Sequence, residues 1–259
     1  MKRTLLIHHH IFKNAGTSLQ YTLKQNFKQQ YYDCELPRSQ MVTAEDLAQF
    51  IIDHPQALAI SGHHICLPTP QGEDYRTLSI ILLRKPLARV ASIYKFEHKQ
   101  QADTEGAIKA KELNFKDYVR WRLDKTPTML CNYQTYYCSR YELKQTNRIP
   151  TAENLAIAIQ NLQAAAVVGT VEQYDETIAL ANQVLVKDFP EINLEYTYLN
   201  VTGKKQVPTD TDVRQKLVTA LGEEMVQELE ERNQLDAQLW DTAYQLLSHQ
   251  MEQQVIEMH

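Results

Sequence analysis

The chain has 259 residues, 43% hydrophobic and 23% charged, the balance of an ordinary globular protein, which excludes collagen-like, disordered and disulfide-scaffold classes. With 27 Lys+Arg against 32 Asp+Glu the formal charge is -5, so nucleic-acid binding through a broad basic footprint is excluded as well. A few convergent cations can still hold a small anion.

Residues 4–11 read as a short strand that breaks at Lys13-Asn14-Ala15-Gly16, and Leu19, Leu23 and Phe27 predict a helix directly after it. The apolar run in that strand is too short for a signal peptide or a membrane span, and no other stretch approaches span length. We therefore expect a soluble, cytoplasmic protein without a transmembrane segment. Residues 44–52 predict a helix, and residues 57–61 a short buried strand ending at Gly62-His63-His64. Residues 78–83, Leu-Ser-Ile-Ile-Leu-Leu, have the near-continuous apolar pattern of a strand inside a parallel sheet. Pro86 suits the first turn of the next helix, whose core face is Leu87, Val90, Ala91 and Tyr94. Residues 109–148 are polar and aromatic with mixed helical signals. Residues 151–163 predict a helix capped by Thr151, residues 165–171 a buried strand, and residues 174–187 a helix closed by Pro190. A polar basic loop at 199–205 precedes a helical region from Asp210 onward, with Leu229, Leu235, Leu239, Tyr244 and Leu247 among its apolar positions. Alternating strands and helices predict an α/β domain on a mainly parallel central sheet flanked by helices, with a helical C-terminal part. No repeat or linker divides it, so residues 1–259 are expected to form one domain. Cys34, Cys66, Cys131 and Cys138 show no C-x-x-C spacing and are expected as buried free thiols.

Five segments can carry chemistry. Lys13-Asn14-Ala15-Gly16-Thr17-Ser18 lies between strand and helix, where backbone N–H groups and the helix dipole favour an anion. Lys13 adds a charge, and Thr17 and Ser18 add hydroxyl donors. An N-capped helix after a turn explains the same residues. A nucleoside-triphosphatase loop needs G-x-x-x-x-G-K-[ST], whereas here the lysine precedes the glycine. Arg84 follows the most apolar strand, at the end where open α/β sheets place ligands. Its guanidinium can hold a phosphate through two N–H groups, or form a surface ion pair. Ser92 lies off the apolar face of the next helix, on the side of Arg89 and Phe96. His63 and His64 end a strand, where an imidazole can take a proton from a hydroxyl near neutral pH; core histidine or metal ligand are the other readings. His8, His9 and His10 alternate across a strand, so at most two share a face, and no carboxylate or cysteine has the spacing of a zinc set. The loop with Asn200, Thr202, Lys204 and Lys205 can clamp a phosphate or be a charged surface turn. The aromatic and basic stretch from Phe115 to Tyr141, including Tyr133, Tyr136 and Arg140, can stack on sugars, although core packing accounts for most of it.

Taken in order, these segments resemble the sulfotransferases that use PAPS (3'-phosphoadenosine 5'-phosphosulfate), especially the carbohydrate 2-O-sulfotransferase-like branch and its bacterial relatives. His10-Ile11-Phe12-Lys13-Asn14-Ala15-Gly16-Thr17-Ser18 is similar to that family's 5'-phosphosulfate loop. Ile81-Leu82-Leu83-Arg84-Lys85-Pro86-Leu87-Ala88-Arg89-Val90-Ala91-Ser92 is similar to its 3'-phosphate strand and helix. Ser61-Gly62-His63-His64, Val168 onward, Leu199-Asn200-Val201-Thr202 and Leu235-Asp236-Ala237-Gln238-Leu239-Trp240 are similar to further landmarks, so the resemblance spans nearly the whole chain. Phe12 stands where the family often has proline, and Lys85 where it often has aspartate. The resemblance implies a P-loop-NTPase-like sulfotransferase fold, and transfer of a sulfuryl group from PAPS to a hydroxyl. PAP (adenosine 3',5'-bisphosphate) is the product, and no metal is required. It implies that Lys13, Asn14, Ala15, Gly16, Thr17 and Ser18 hold the 5'-phosphosulfate, with Lys13 meeting the charge of the leaving group. Arg84 and Ser92 then hold the 3'-phosphate, and Asn200, Thr202 and Lys204 close over the nucleotide. His63, with His64 as fallback, is the general base. The acceptor is expected to be a saccharide, neutral or lightly charged because the chain is acidic. A Mg-ATP-dependent small-molecule kinase, a non-catalytic nucleotide-binding protein and a metal-dependent hydrolase are the competing readings.

Overall fold

A computed structural model describes residues 2–37, 40–140, 149–195 and 209–257. Strand β1 (Arg3–His9) feeds helix α1 (Gly16–Phe27), followed by β2 (Tyr31–Asp33), α2 (Ala44–Asp53) and β3 (Ala59–Gly62). Next come β4 (Tyr75–Leu83), α3 (Pro86–Lys99), α4 (Glu105–Glu112), α5 (Phe115–Lys125) and α6 (Tyr133–Ser139). The remainder is α7 (Ala152–Gln163), β5 (Val167–Thr170), α8 (Tyr174–Leu185), α9 (Asp210–Leu221), α10 (Glu223–Arg232) and α11 (Gln234–Glu257).

The strands form one parallel sheet in the order β2-β3-β1-β4-β5. Leu6 of β1 lies opposite Ala59 of β3 on one side and Leu78 of β4 on the other. From β1 the chain goes to the edge strand β2, returns through β3 beside β1, and then builds β4 and β5 on the other side. The crevice past the carboxyl end of β1 is therefore a topological switch point, flanked by the ends of β3 and β4.

Alternate strand residues face opposite layers. Leu6, Ile80, Leu82 and Val167 pack with Leu19 and Leu23 of α1 and Ile178 and Leu185 of α8. On the other face Leu5, Ile7 and Ile60 meet Leu47 and Ile51 of α2. Beside them Ile81, Leu83 and Val168 meet Tyr137, Leu155, Leu162 and Leu239. Cover on both faces is the reason the run at 78–83 is almost wholly apolar. A separate helical layer joins Val90 and Ile93 of α3 to Tyr118 and Val119 of α5, Leu217 of α9 and Val226 of α10.

Several boundaries differ from the sequence reading. β4 begins at Tyr75 because Tyr75 and Arg76 pair with Arg3 and Thr4. The mixed middle segment resolves into capped helices: Thr104 Oγ1 accepts from Ala107 N–H, and Asn114 Oδ1 from Asp117 N–H. The C-terminal region is three helices, with Gly222 at φ 90 between α9 and α10. Tyr244 is exposed and stacks on Trp240 instead of entering the core. All four cysteines are buried and free. Among the described residues no helix is long and apolar enough to cross a membrane. The loop at 199–205, and with it Asn200, Thr202 and Lys204, lies outside the described residues.

Candidate functional site

A cleft of about 1010 Å³ opens where the ends of β1, β3 and β4 meet. Lys13, Ala15, Gly16, Thr17, Ser18, His63, His64 and Arg84 line it. The loop after β1 owes its shape to two left-handed residues, Lys13 at φ 68 and Ala15 at φ 58. Such non-glycine positions cost roughly 1–3 kcal/mol each, so something must hold them. Asn14 does: its Nδ2–H donates to Leu82 O at 2.9 Å and to Gln134 Oε1 at 2.7 Å. Asn14 is thus buried beneath the loop and is not among the lining residues. α1 starts at Gly16, and the first-turn N–H groups of a helix have no intrahelical acceptor. Gly16 tolerates no side chain, because a Cβ there would sit 1.9 Å from His10 Cδ2.

Lys13 and Arg84 meet in this cleft, with Arg89 buried behind them. Lys13 Nζ lies 4.3 Å over the Phe96 ring. Burial, and then Arg84 and Arg89 nearby, pull its ammonium below the usual lysine range. Arg84 Nη1–H donates to Lys13 O at 3.1 Å, while its buried Nε–H has no partner. Gln134 of α6 clamps the same turn: Arg84 N–H donates to Gln134 Oε1, and Gln134 Nε2–H to Arg84 O, both at 2.8 Å. Gln134 is held in turn by Asp236 of α11, whose Oδ2 accepts the Gln134 backbone N–H at 3.1 Å. Arg89, placed by the sequence off the apolar face with Ser92, is 1% exposed. Its Nε–H donates to Phe12 O at 3.1 Å and its Nη1–H to Met129 O at 2.9 Å, which fixes the approach to Lys13. Ser92 itself is partly buried on α3 and is not among the lining residues.

The histidines divide by environment. His8 of β1 and His10 just past its end have their rings stacked at 5.3 Å, and His10 stacks on His63 at 3.9 Å. His63 Nδ1 lies 2.9 Å from His10 O. A carbonyl can only accept, so Nδ1 carries a proton, and in the neutral ring the lone pair is on Nε2. Glu35 Oε1 accepts the His63 backbone N–H at 2.6 Å. His9 faces the opposite layer, with Nε2 at 3.2 Å from Ser79 Oγ and Nδ1 at 3.4 Å from Ile65 O. Burial pushes His9 and His10 down to about 3, His63 adding to the shift of His10, so both are neutral near pH 7. Among the described residues no three His, Cys, Asp or Glu side chains gather as a metal set.

Against known families, the sulfotransferase family profile matches residues 2–245. The chain belongs to the sulfotransferase family. A protein of Archaeoglobus fulgidus, described only as an uncharacterized protein, is 26% identical over 251 residues, covering 93% of this chain and 96% of that protein. The parallel sheet flanked by helices is the fold this membership calls for, and sulfuryl transfer is its general chemistry.

The sulfotransferase has a second cavity, of about 570 Å³, that shares Arg84 with the first. Trp240 Nε1–H donates to Glu172 Oε2 at 2.9 Å, and Lys85 N–H to Glu172 Oε1 at 3.1 Å. Lys85 Nζ lies 4.3 Å over the Trp240 ring and pairs with Asp210. Sequence reasoning passed over Gln134, Glu35 and the stacking of His10, because each acts through a partner distant in the chain. The strand–loop–helix signal led to the groups they support.

Proposed function

We propose that this sulfotransferase moves the sulfuryl group of PAPS to a carbohydrate hydroxyl, with His63 as general base. The observation that carries the reading is the meeting in one cleft of Lys13 and the first turn of α1, Arg84 with an unused Nε–H, and His63 with Nδ1 tied to His10 O. PAPS supplies an activated sulfuryl group on a phosphosulfate anhydride, and the residues present suit it. The Gly16 and Thr17 amides with the Thr17 and Ser18 hydroxyls suit the 5'-phosphate. Lys13 is placed for the oxygen that gains charge as the S–O bond breaks. Arg84 offers a fork to the 3'-phosphate, with Ser92, Asn200, Thr202 and Lys204 assigned to the same end. The second cavity gives the nucleoside room beside Trp240. His63 Nε2 takes the hydroxyl proton, and the resulting imidazolium keeps its Nδ1–H bond to His10 O. That fixed tautomer favours His63 over His64. Tyr133 and Tyr136 on the cleft wall suit a sugar ring, apolar on one face and polar at its edge.

Calorimetric titration with PAP, ADP and Mg-ATP tests the donor. We expect PAP to bind tightly without Mg²⁺ and ADP weakly; a preference for Mg-ATP sinks the reading in favour of a kinase. For the base, His63→Ala should lower kcat by about 10²–10⁴-fold while PAP affinity holds. An active His63→Ala beside a dead His64→Ala moves the assignment to His64.

A further inference from the structure

Gln134 sits in the first turn of α6, fully buried and outside the lining of the cleft. Its side-chain amide has one carbonyl oxygen and two N–H donors, and all are in use. Oε1 accepts from Asn14 Nδ2–H at 2.7 Å and from Arg84 N–H at 2.8 Å. Nε2–H donates to Arg84 O at 2.8 Å and to Asp236 Oδ2 at 3.4 Å. A single oxygen atom thus joins the loop after β1 to the turn after β4. In the loop it holds Asn14, which lies between the left-handed Lys13 and Ala15. In the turn it holds the backbone of Arg84 itself.

The amide is aimed from behind. Asn132, before the first residue of α6, stands at φ 51 and makes no side-chain cap bond to that helix. Asp236 of α11 supplies the cap: its Oδ1 accepts Thr135 N–H at 2.7 Å and its Oδ2 accepts Gln134 N–H at 3.1 Å. Asn132 Oδ1 in return accepts the N–H groups of Leu235 and Asp236, both at 3.1 Å. Two helix starts that satisfy each other's open N–H groups fix the point from which the Gln134 side chain leaves.

We propose that Gln134 is a positioning residue that sets the distance between the two anion-binding ends of the cleft, so that a nucleotide with phosphates at both its 5' and 3' positions engages both at once. The assignment rests on the sulfotransfer reading of this cleft and adds a residue that touches no part of the donor. Such a nucleotide is a bivalent ligand, and its second contact strengthens binding only while the spacing of the two sites suits it.

The test is calorimetric titration of the full chain with PAP, 5'-AMP and 3'-AMP. Gln134→Met removes every bond of the amide. Gln134→Asn keeps an amide one methylene too short to reach both segments, and serves should the first variant fail to fold. The expected result is a fall in PAP affinity of roughly 10–100-fold, with the two monophosphates, which need one end each, bound nearly as in the wild type. A purely structural role weakens all three ligands alike, and that outcome overturns the proposal. Unchanged PAP affinity overturns it as well, and so does failure of both variants to fold, which makes Gln134 scaffold. Failure of the donor reading shows separately, on the wild-type protein: PAP then binds no more tightly than 5'-AMP, and the proposal falls with it.

Discussion

Arg122 and Arg140 are buried to nearly the same depth, 7% and 5% exposed, and each lies over a tyrosine ring, but their hydrogen bonds differ. Arg122 Nη2–H reaches both Glu97 oxygens at 2.6 and 2.7 Å, its Nε–H reaches Tyr118 Oη at 2.9 Å, and its Nη1–H reaches Thr126 Oγ1 at 2.9 Å. Tyr118 closes the circuit by donating to Glu97. Even the backbone conforms: a Cβ on Gly106 would lie 1.9 Å from Arg122 Nη2. Arg140 at Nε and Nη2, Arg84 at Nε and Arg89 at Nη2 instead keep buried nitrogens without a hydrogen-bond partner. Burial therefore does not separate these guanidinium groups; the state of their hydrogen bonds does. The closed circuit ties α3 to α5, and unpartnered buried donors are where a ligand role is to be tested.

The largest expected effect breaks the closed circuit. Arg122→Met strands the Glu97 carboxylate in the helical layer, which should cost about 3–5 kcal/mol and lower the melting temperature by roughly 10 °C. PAP affinity of the folded protein should be unchanged. An unaltered melt would show that the circuit is not scaffold and that the contrast with Arg140 is empty. Arg84→Ala should behave in the opposite way. Loss of a charge-assisted fork should weaken PAP binding by about 10–100-fold, or roughly 1.5–3 kcal/mol, while the melting temperature holds or rises because an unused buried donor has gone. A melt falling as far as that of Arg122→Met would make Arg84 a structural residue.

The same distinction explains what could be read in the sequence. The β1–loop–α1 unit was legible because its signals are local: a strand-length apolar run, a lysine and a glycine at the break, and Leu19, Leu23 and Phe27 on one helix face. The ends of β3 and β4 were legible for the same reason, and their meeting at one crevice follows from sheet order. Gln134 was not legible, since its bonds to Arg84 and Asp236 span 50 and 102 residues. Arg89 was read as lying off the core because periodicity sees one apolar stripe. α3, however, lies against the sheet-end loop through Phe12 and against α9 and α10, so Arg89 at its start is buried too. Whether a guanidinium is satisfied depends on where distant carboxylates fall, which no local pattern records; hence Arg122 and Arg140 looked alike in one aromatic and basic stretch.

The smallest effect carries the comparison from guanidinium to imidazole. Both His9 nitrogens are engaged, by Ser79 and Ile65, whereas His10 Nδ1 is buried with no partner. Burial depresses both from the ordinary 6.5 to about 3. Between those values the unfolded chain binds protons that the folded chain refuses, so stability falls as pH drops through 6.5. Each histidine contributes a slope of roughly 1.4 kcal/mol per pH unit. Urea midpoints between about pH 8 and pH 5 should show that slope, and His9→Phe or His10→Phe should each reduce it by one histidine's share. The two variants should part at the alkaline end. His9→Phe removes one of the two partners of the Ser79 hydroxyl, leaving Thr69 Oγ1 at 3.2 Å, and takes the ring nitrogen from the Ile65 carbonyl, which should destabilise by about 1–3 kcal/mol. His10→Phe removes a nitrogen that had no partner and keeps a ring to stack on His63, so its midpoint should hold. Equal losses for both variants would mean that open and closed buried groups are energetically alike here, and the distinction drawn between Arg122 and Arg140 would lose its footing.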